Sequence, residues 1–345
     1  MANETTPNGV VGDAGWRGDT PPSGTRPSRS IGARLGDLGP VLALILIAGL
    51  YSVIAPNFLT VFNLTNVLTQ VSIVAIAGVG MTMVILVAGI DLSVGSVVAL
   101  TGCLAALTLT NAVGEHTFGN AAVAVIVALV VGLAVGLLNG VLVTIGQVPA
   151  FIATLATLVA VRGVALLITQ AAPVSIPEGP YVDIGRGFVG PVPIPVIIMI
   201  VVFAIGYVIL HRLRIGRRIY AVGGNIEAAR LSGVRVNRVL IFVFAASGLC
   251  AGIAGVIVSS KLAGGLPAGA NSFELDVIAA VVVGGTSLFG GRGRLLGTFI
   301  GALLIGVLGN GLVLMNVSDY WQRILTGAVI VGAVILDRVV RGRAA

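Results

Sequence analysis

HRLRIGRRIYAVGGNIEAARLSGVRVNR, residues His211 to Arg238, is a polar interruption between two long apolar runs. It holds seven arginines (Arg212, Arg214, Arg217, Arg218, Arg230, Arg235, Arg238) against a single acid, Glu227. Its interior carries the signals of a very short helix. Asn225 is a good N-cap, Glu227 sits in the first turn where the helix dipole favours an anion, and Gly233 can take the left-handed conformation that ends a helix. Isolated helices shorter than roughly 12 residues are marginal in water. The spacing therefore predicts an element that docks onto something soluble.

Outward from this stretch the chain is apolar. The 345 residues are 57% hydrophobic and 10% charged, with 49 glycines, whereas a soluble domain carries roughly 25% charged residues. This composition predicts an all-α, polytopic membrane protein that forms one unit in lipid. The net charge of +7 lies beside hydrophobic spans, as the positive-inside rule expects, and forms no basic domain, which argues against nucleic acid as a partner. Cys103 and Cys250 fall within apolar runs without paired spacing and read as buried structural thiols. Residues 1–39 are rich in Gly, Pro, Ser, Thr and Arg and lack an apolar run. They read as a disordered cytoplasmic tail, not a signal peptide, and residues 40–345 as the transmembrane domain.

A membrane span needs about 20 mostly apolar residues. Ten candidates stand at roughly 40–56, 67–89, 94–112, 121–145, 150–169, 193–210, 239–259, 275–289, 295–315 and 320–337. An even count puts both termini on one side, and the arginines of the tail together with Arg338, Arg341 and Arg343 make that side cytoplasmic. The same topology puts the Gln147-Val148-Pro149 turn, the 211–238 loop and the turn with Arg292 and Arg294 inside. Outside it puts Glu115, the loop 170–193 with Glu178 and Asp183, and the loop from Lys261 to Glu274. Arg186, Lys261 and Arg323 are the exceptions to the charge rule.

Two stretches are poor spans: Val87 to Gly95, VAGIDLSVG, and Val283 to Gly291, VGGTSLFGG. They match at Val87/Val283, Gly89/Gly285, Leu92/Leu288 and Gly95/Gly291, which leaves an internal repeat open. Broken backbone in a membrane must line a cavity or be buried in protein, so Gly89, Gly285, Thr286 and Ser287 are candidate pathway residues. Small-residue pairs such as Gly132/Gly136, Gly248/Gly252 and Gly297/Gly301 predict close helix packing. Asp91, costly at membrane depth, either caps a helix opening at Leu92 or belongs to the pathway. Arg162 either snorkels or pairs with Asp91 or Asp276, and Asn139 either bonds between helices or touches a polar solute. No catalytic residues are found. The histidines, His116 and His211, are too few for a metal site, and no phosphate-cradling GxxxxGK[ST] occurs.

Four motifs carry a family resemblance: GMTMVILVAGIDLSVGS (Gly80 to Ser96), NGVLVTIGQVPAFIATLATL (Asn139 to Leu158), GRRIYAVGGNIEAARLSGV (Gly216 to Val234) and VVVGGTSLFGGRGRLLGTFIGALLIGVLGNGL (Val281 to Leu312). In that order they resemble the permease subunits of ribose-type ABC importers, from about residue 40 onward. The resemblance implies a type II-like permease architecture and a pair of permeases, expected as a homodimer, that form the pathway. It also implies two ATPase subunits that use ATP and magnesium, and an extracytoplasmic binding protein that delivers a monosaccharide to the loops 170–193 and 260–274. No cofactor is expected on this chain. Asn225 to Gly233 would be the coupling helix, with Asn225, Glu227, Ala228, Ala229, Arg230, Leu231 and Gly233 as docking residues. The long N-terminal tail is not part of the family pattern. Nucleosides, inositol or branched-chain amino acids are alternative solutes. An ion-coupled carrier, a lipid-modifying enzyme and a lipid-binding patch are other classes, and each lacks the membrane-depth charges, clustered catalytic groups or need for a capped helix that would favour it.

Overall fold

The computed structural model describes residues 31–111, 117–318, 320–328 and 331–332, and of residues 31–38 the backbone only. Glu115, His116, residues 1–30 and the basic C-terminal stretch lie outside the described residues. The chain divides between Asp37 and Leu38, and the architecture that follows is that of the unit from Leu38 on. Lipid offers no backbone partner, so apolar sequence satisfies its own N–H and C=O groups as helix. In chain order the helices are α1 (Ile31–Ile54), α2 (Val61–Leu86), α3 (Val94–Thr110), α4 (Phe118–Thr144), α5 (Ala150–Ile168), α6 (Pro180–Arg186), α7 (Ile194–His211), α8 (Arg214–Gly224), α9 (Ile226–Leu231), α10 (Val236–Leu262), α11 (Phe273–Val283) and α12 (Leu295–Leu314). Residues 320–328 are a further helical stretch.

Six helices, α2, α4, α5, α7, α10 and α12, are long and apolar enough to cross a membrane, while α3 and the Gly39–Ile54 part of α1 are shorter apolar helices. Burial separates centre from periphery. Of the apolar stretches of α2 and α10, 78% and 67% are buried, against 28% in α4 and α5. The first pair is therefore the core, and Val123, Ile126 and Val130 on α4 and Phe151 and Val159 on α5 are left exposed on faces that suit lipid.

Small residues bring the helix backbones into contact. A Cβ added at Gly248 of α10 would stand 2.2 Å from the Gly132 carbonyl oxygen of α4, and one at Gly136 would stand 2.3 Å from the Phe244 carbonyl oxygen. Gly297 and Gly301 of α12 face Gly284 and Ala280 at the end of α11 in the same way. The packing role expected for these pairs is what the structure shows.

The eighth candidate span is shorter than expected. α11 ends at Val283 because Gly284, Gly285 and the positive φ of 88° at Gly285 stop it. Its 11 residues rise only about 16 Å at 1.5 Å per residue, half of a ~30 Å hydrocarbon core. The loop before it is also not a free outer loop. β4 (Gly264–Gly265) pairs with β1 (Val174–Ser175), and a Cβ at Gly265 would stand 2.7 Å from Cα of Cys103, in the middle of α3. One at Gly95, in the first turn of α3, would stand 2.7 Å from the Ala270 carbonyl oxygen. Residues 264–270 thus run down α3 from its midpoint to its start, and α11 begins deep in the helix bundle.

The 170–193 segment folds against the end of α10. The Tyr181 hydroxyl of α6 lies 2.7 Å from the Ser259 hydroxyl, and Ser260 Oγ accepts from the Gly185 N–H at 2.6 Å. A hairpin of β2 (Phe188–Val189) and β3 (Val192–Pro193) follows.

Overpacking a tight contact costs about 1–3 kcal/mol. Gly248→Ala is expected to lower the thermal midpoint of the detergent-solubilised protein by that equivalent. Gly163→Ala, whose Cβ would meet nothing within 4 Å, is expected to leave it unchanged. Fluorescence-detected size exclusion after heating measures both.

Candidate functional site

The arginine-rich stretch folds into two helices, not one. α8 forms because Gly216, Ile219 and Val222 recur at helical spacing and are buried, while Arg214, Arg217 and Arg218 stay exposed. Asn225 then breaks the helix with an extended backbone (φ −161°, ψ 110°) and starts α9, accepting from the Ala228 N–H at 2.9 Å. At the other end Gly233 has φ +78°. Its N–H donates to the Arg230 carbonyl and that of Val234 to the Ala229 carbonyl, both at 3.0 Å, which is the paired bonding of a Schellman stop. Six residues are thus fixed at both ends before any partner arrives.

α9 turns nearly all its side chains outward. Ala229 is buried and meets this chain itself, whereas Leu231 is 88% exposed, an unusual position for a large apolar side chain. Glu227 and Arg230 form an exposed ion pair at 3.1 Å. Ile226 and Arg230 also border a groove whose other wall is Gln147, Val148 and Pro149, the turn between α4 and α5.

Behind α9 the chain is anchored backbone to backbone. A Cβ at Gly223 would stand 1.7 Å from the Leu86 carbonyl oxygen and 2.6 Å from the Gly291 N–H nitrogen, and that N–H itself donates to the Leu86 carbonyl at 2.9 Å. Gly290 has φ +81° and sits against Ala88 and Gly223. Tyr220 of α8 donates its hydroxyl to the Gly293 carbonyl at 2.9 Å. Burial holds that phenol above its ordinary pKa, partly offset by Arg294, so it remains a donor. The two glycine-interrupted segments are thereby brought against each other and against the end of α8. Gly89 packs on Val84 and Phe244, and Thr286 and Ser287 are buried. Ser287 closes the 284–294 loop by donating its N–H to the Arg292 carbonyl at 2.9 Å.

Asp91 does not cap a helix opening at Leu92. α3 begins at Val94, with Ser93 in the cap position. Asp91 is 1% exposed and accepts three hydrogen bonds: from the Ser93 N–H at 3.0 Å, the Ser93 hydroxyl at 2.6 Å and the Ser247 hydroxyl of α10 at 2.7 Å. Asn139 of α4, fully buried, donates to the Ser93 hydroxyl at 2.9 Å. The carboxylate therefore ties the broken segment to α10, and Asn139 ties it to α4 through the Ser93 hydroxyl. Ser93 and Ser247 carry no sequence signal, since hydroxyls are common in these spans.

Arg162 neither snorkels nor pairs with Asp91 or Asp276. Its Nη1 donates to the carbonyls of Pro267 (2.9 Å) and Gly269 (2.5 Å), and its Nη2 reaches that of Ala270 at 3.5 Å. Non-helical carbonyls inside a bundle need donors, and a guanidinium offers five in one fork. Among the described residues no group of three His, Cys, Asp or Glu could hold a metal ion.

These features belong to a multi-pass membrane protein in which a short helix, capped at both ends, is joined to two glycine-interrupted apolar segments, and comparison with known proteins makes it a permease, a transport subunit. The family model described as "Branched-chain amino acid transport system / permease component" matches residues 63–334, and the chain belongs to that family. It is 46% identical over 311 residues to the ribose import permease protein RbsC of Haemophilus influenzae, covering 89% of this chain and 94% of the relative. With RbsC of Escherichia coli K12 the identity is 48% over 301 residues, 86% and 92% of the two chains. The xylose transport system permease protein XylH of Escherichia coli K12 is 36% identical over 348 residues, 83% and 87%. No solved structure matches the chain.

Losing an acceptor for a buried donor costs about 1–3 kcal/mol. Asp91→Asn, which keeps one carbonyl oxygen, is expected to lower thermal stability by about that much, and Asp91→Ala, which strands three donors, by more. Thermal midpoints of the purified variants test the order. Wild-type stability and transport in Asp91→Asn would show that the carboxylate neither anchors nor conducts.

Proposed function

We propose that this chain is the membrane-spanning subunit of an ATP-binding-cassette importer for a monosaccharide of the ribose, xylose or allose kind, with D-ribose the first to test. The observation that carries the reading is the 46% identity to a ribose import permease, spread over 89% of this chain and 94% of the relative. The docking helix supports it. α9, with Leu231, Ile226, Glu227 and Arg230 outward, together with the Gln147 to Pro149 turn, is suited to a groove on a soluble ATPase.

In this reading α1 to α5, α7, α10, α11 with its inserted loop, α12 and the stretch from residue 320 make ten passages, and both termini are cytoplasmic. That places α8 and α9 in the cytoplasm, beside the arginines of their loop. ATP and magnesium belong to the partner ATPase. Closure of its subunits on ATP moves α9, and α8 transmits the movement through Gly223 to the segments after α2 and α11. Two copies of the permease alternate between outward and inward access. On the other face, α6 and the β2–β3 hairpin, with exposed Phe188 and Val189, receive the loaded binding protein.

The family description favours one second reading, a branched-chain amino acid as the solute. Uptake of labelled D-ribose against labelled leucine separates the two.

Leu231→Glu changes a side chain that supports no internal packing. The variant is expected to fold and elute as wild type, yet to lose co-purification with the ATPase encoded beside it and the binding-protein-stimulated ATP hydrolysis. Retained assembly in Leu231→Glu would move the docking site elsewhere.

A further inference from the structure

Of the residues that suggest a pathway, Gly89, Asp91, Asn139, Thr286 and Ser287 are buried, while Gly285 is exposed at the end of α11. Polar space opens elsewhere. A cavity of about 300 Å³ lies between α2, the start of α11, the second half of α12 and the helical stretch from residue 320, at the lower bound of ordinary ligand sites. Its polar lining is Gln70, Asn271, Ser272, Asp276, Gln322, Arg323 and Thr326.

Gln70 shows that this space is polar by construction. It stands ten residues into the 26-residue α2, about 15 Å along a helix that crosses a ~30 Å core, and it is exposed in the single chain. An amide facing hydrocarbon there would be costly, and instead it faces the cavity. The opposite wall is equally specific. Because residues 264–270 descend along α3, tied by Arg162, the residues Asn271, Ser272 and Asp276 reach mid-membrane depth. Arg323 donates to the Ser272 hydroxyl at 3.2 Å and Gln322 to the Val317 carbonyl at 3.3 Å, so both side chains are held in place.

Three of the seven polar groups are amides, each offering donors and an acceptor in fixed directions, which matches hydroxyls that both donate and accept. One acid and one base balance in charge, and Val74, Leu275, Ile305 and Leu308 supply apolar wall for the C–H face of a ring. We propose that this cavity is the intramembrane binding station of the pathway, taking a neutral monosaccharide by its hydroxyls. The inference rests on the sugar-importer reading above and adds to it the place and chemistry of the site.

Two glycines make it testable without disturbing the fold. Gly309 and Gly327 line the cavity, and a Cβ at either would meet nothing within 4 Å. The wild type and the variants Gly309→Leu, Gly327→Leu and, as a control on an exposed face of α5, Gly163→Leu would be assembled with the ATPase in proteoliposomes. Binding protein and labelled D-ribose are then added outside. The proposal expects both cavity variants to assemble normally and to lose uptake by about tenfold or more, with the control at wild-type rate. It also expects D-ribose, but not leucine, in millimolar excess to slow maleimide labelling of Gly309→Cys. Wild-type uptake in the cavity variants overturns this inference alone. So does a disulfide between two Gly309→Cys permeases without protection by sugar, which would make the cavity part of the contact between copies. Import of leucine and not ribose by the wild type overturns both this inference and the reading it rests on.

Discussion

Leu86, Gly223 and Gly291 meet backbone to backbone, with no side chain between them and a hydrogen bond from the Gly291 N–H to the Leu86 carbonyl. The coupling proposed for this permease depends on that closeness. A junction filled with flexible side chains would absorb displacement. One made of peptide groups in contact passes it on, because packed backbones are stiff on the scale of a side-chain rotamer. The short capped helix α9 is separated from this junction only by Gly224 and Asn225. In the proposed mechanism a push on α9 is a push on the ends of α2 and α11.

The hydrocarbon imposes the second constraint. Wherever the chain leaves helix inside the membrane, its peptide groups need protein partners, and each broken segment has a dedicated one. Asp91 gathers the donors after α2, Arg162 gathers the carbonyls before α11, and Ser287 closes the turn after it. Asp91 and Arg162 are therefore structural fasteners for irregular backbone. Irregular backbone, in turn, is what lets α11 start inside the bundle and leaves a polar cavity at its side.

The sequence was informative where the physics is local. Asn225, Glu227 and Gly233 announce α9 because caps act within one turn, and the glycine pairs announce close packing because a missing Cβ has the same meaning in any helix. α8 is legible too, in the spacing of Gly216, Ile219 and Val222, although its arginines resemble those of a loop. Beyond local range the sequence was silent. Asp91 and Ser247 are 156 positions apart and Arg162 and Gly269 are 107, and no spacing rule joins a side chain to a carbonyl at that distance. Hydropathy likewise counted 275–289 as a full span, since it sums apolarity and cannot see that Gly284 and Gly285 end the helix halfway. The glycine-break residues are gathered in space, with Gly290 against Ala88 and Gly223, while the polar cavity is assembled from four separate elements.

In the proposed importer α9 and the two broken segments move as one body when nucleotide binds to the partner. Spin labels at Arg217 of α8 and Arg292 of the 284–294 loop, both exposed, measure it by pulsed dipolar spectroscopy on the assembled complex. The account predicts an unchanged Arg217–Arg292 distance between the nucleotide-free and ATP-bound states, while the distance from Arg217 to a label at exposed Leu137 on α4 changes. A shift in the Arg217–Arg292 distance on ATP binding would contradict it, because α8 would then slide past the junction instead of driving it.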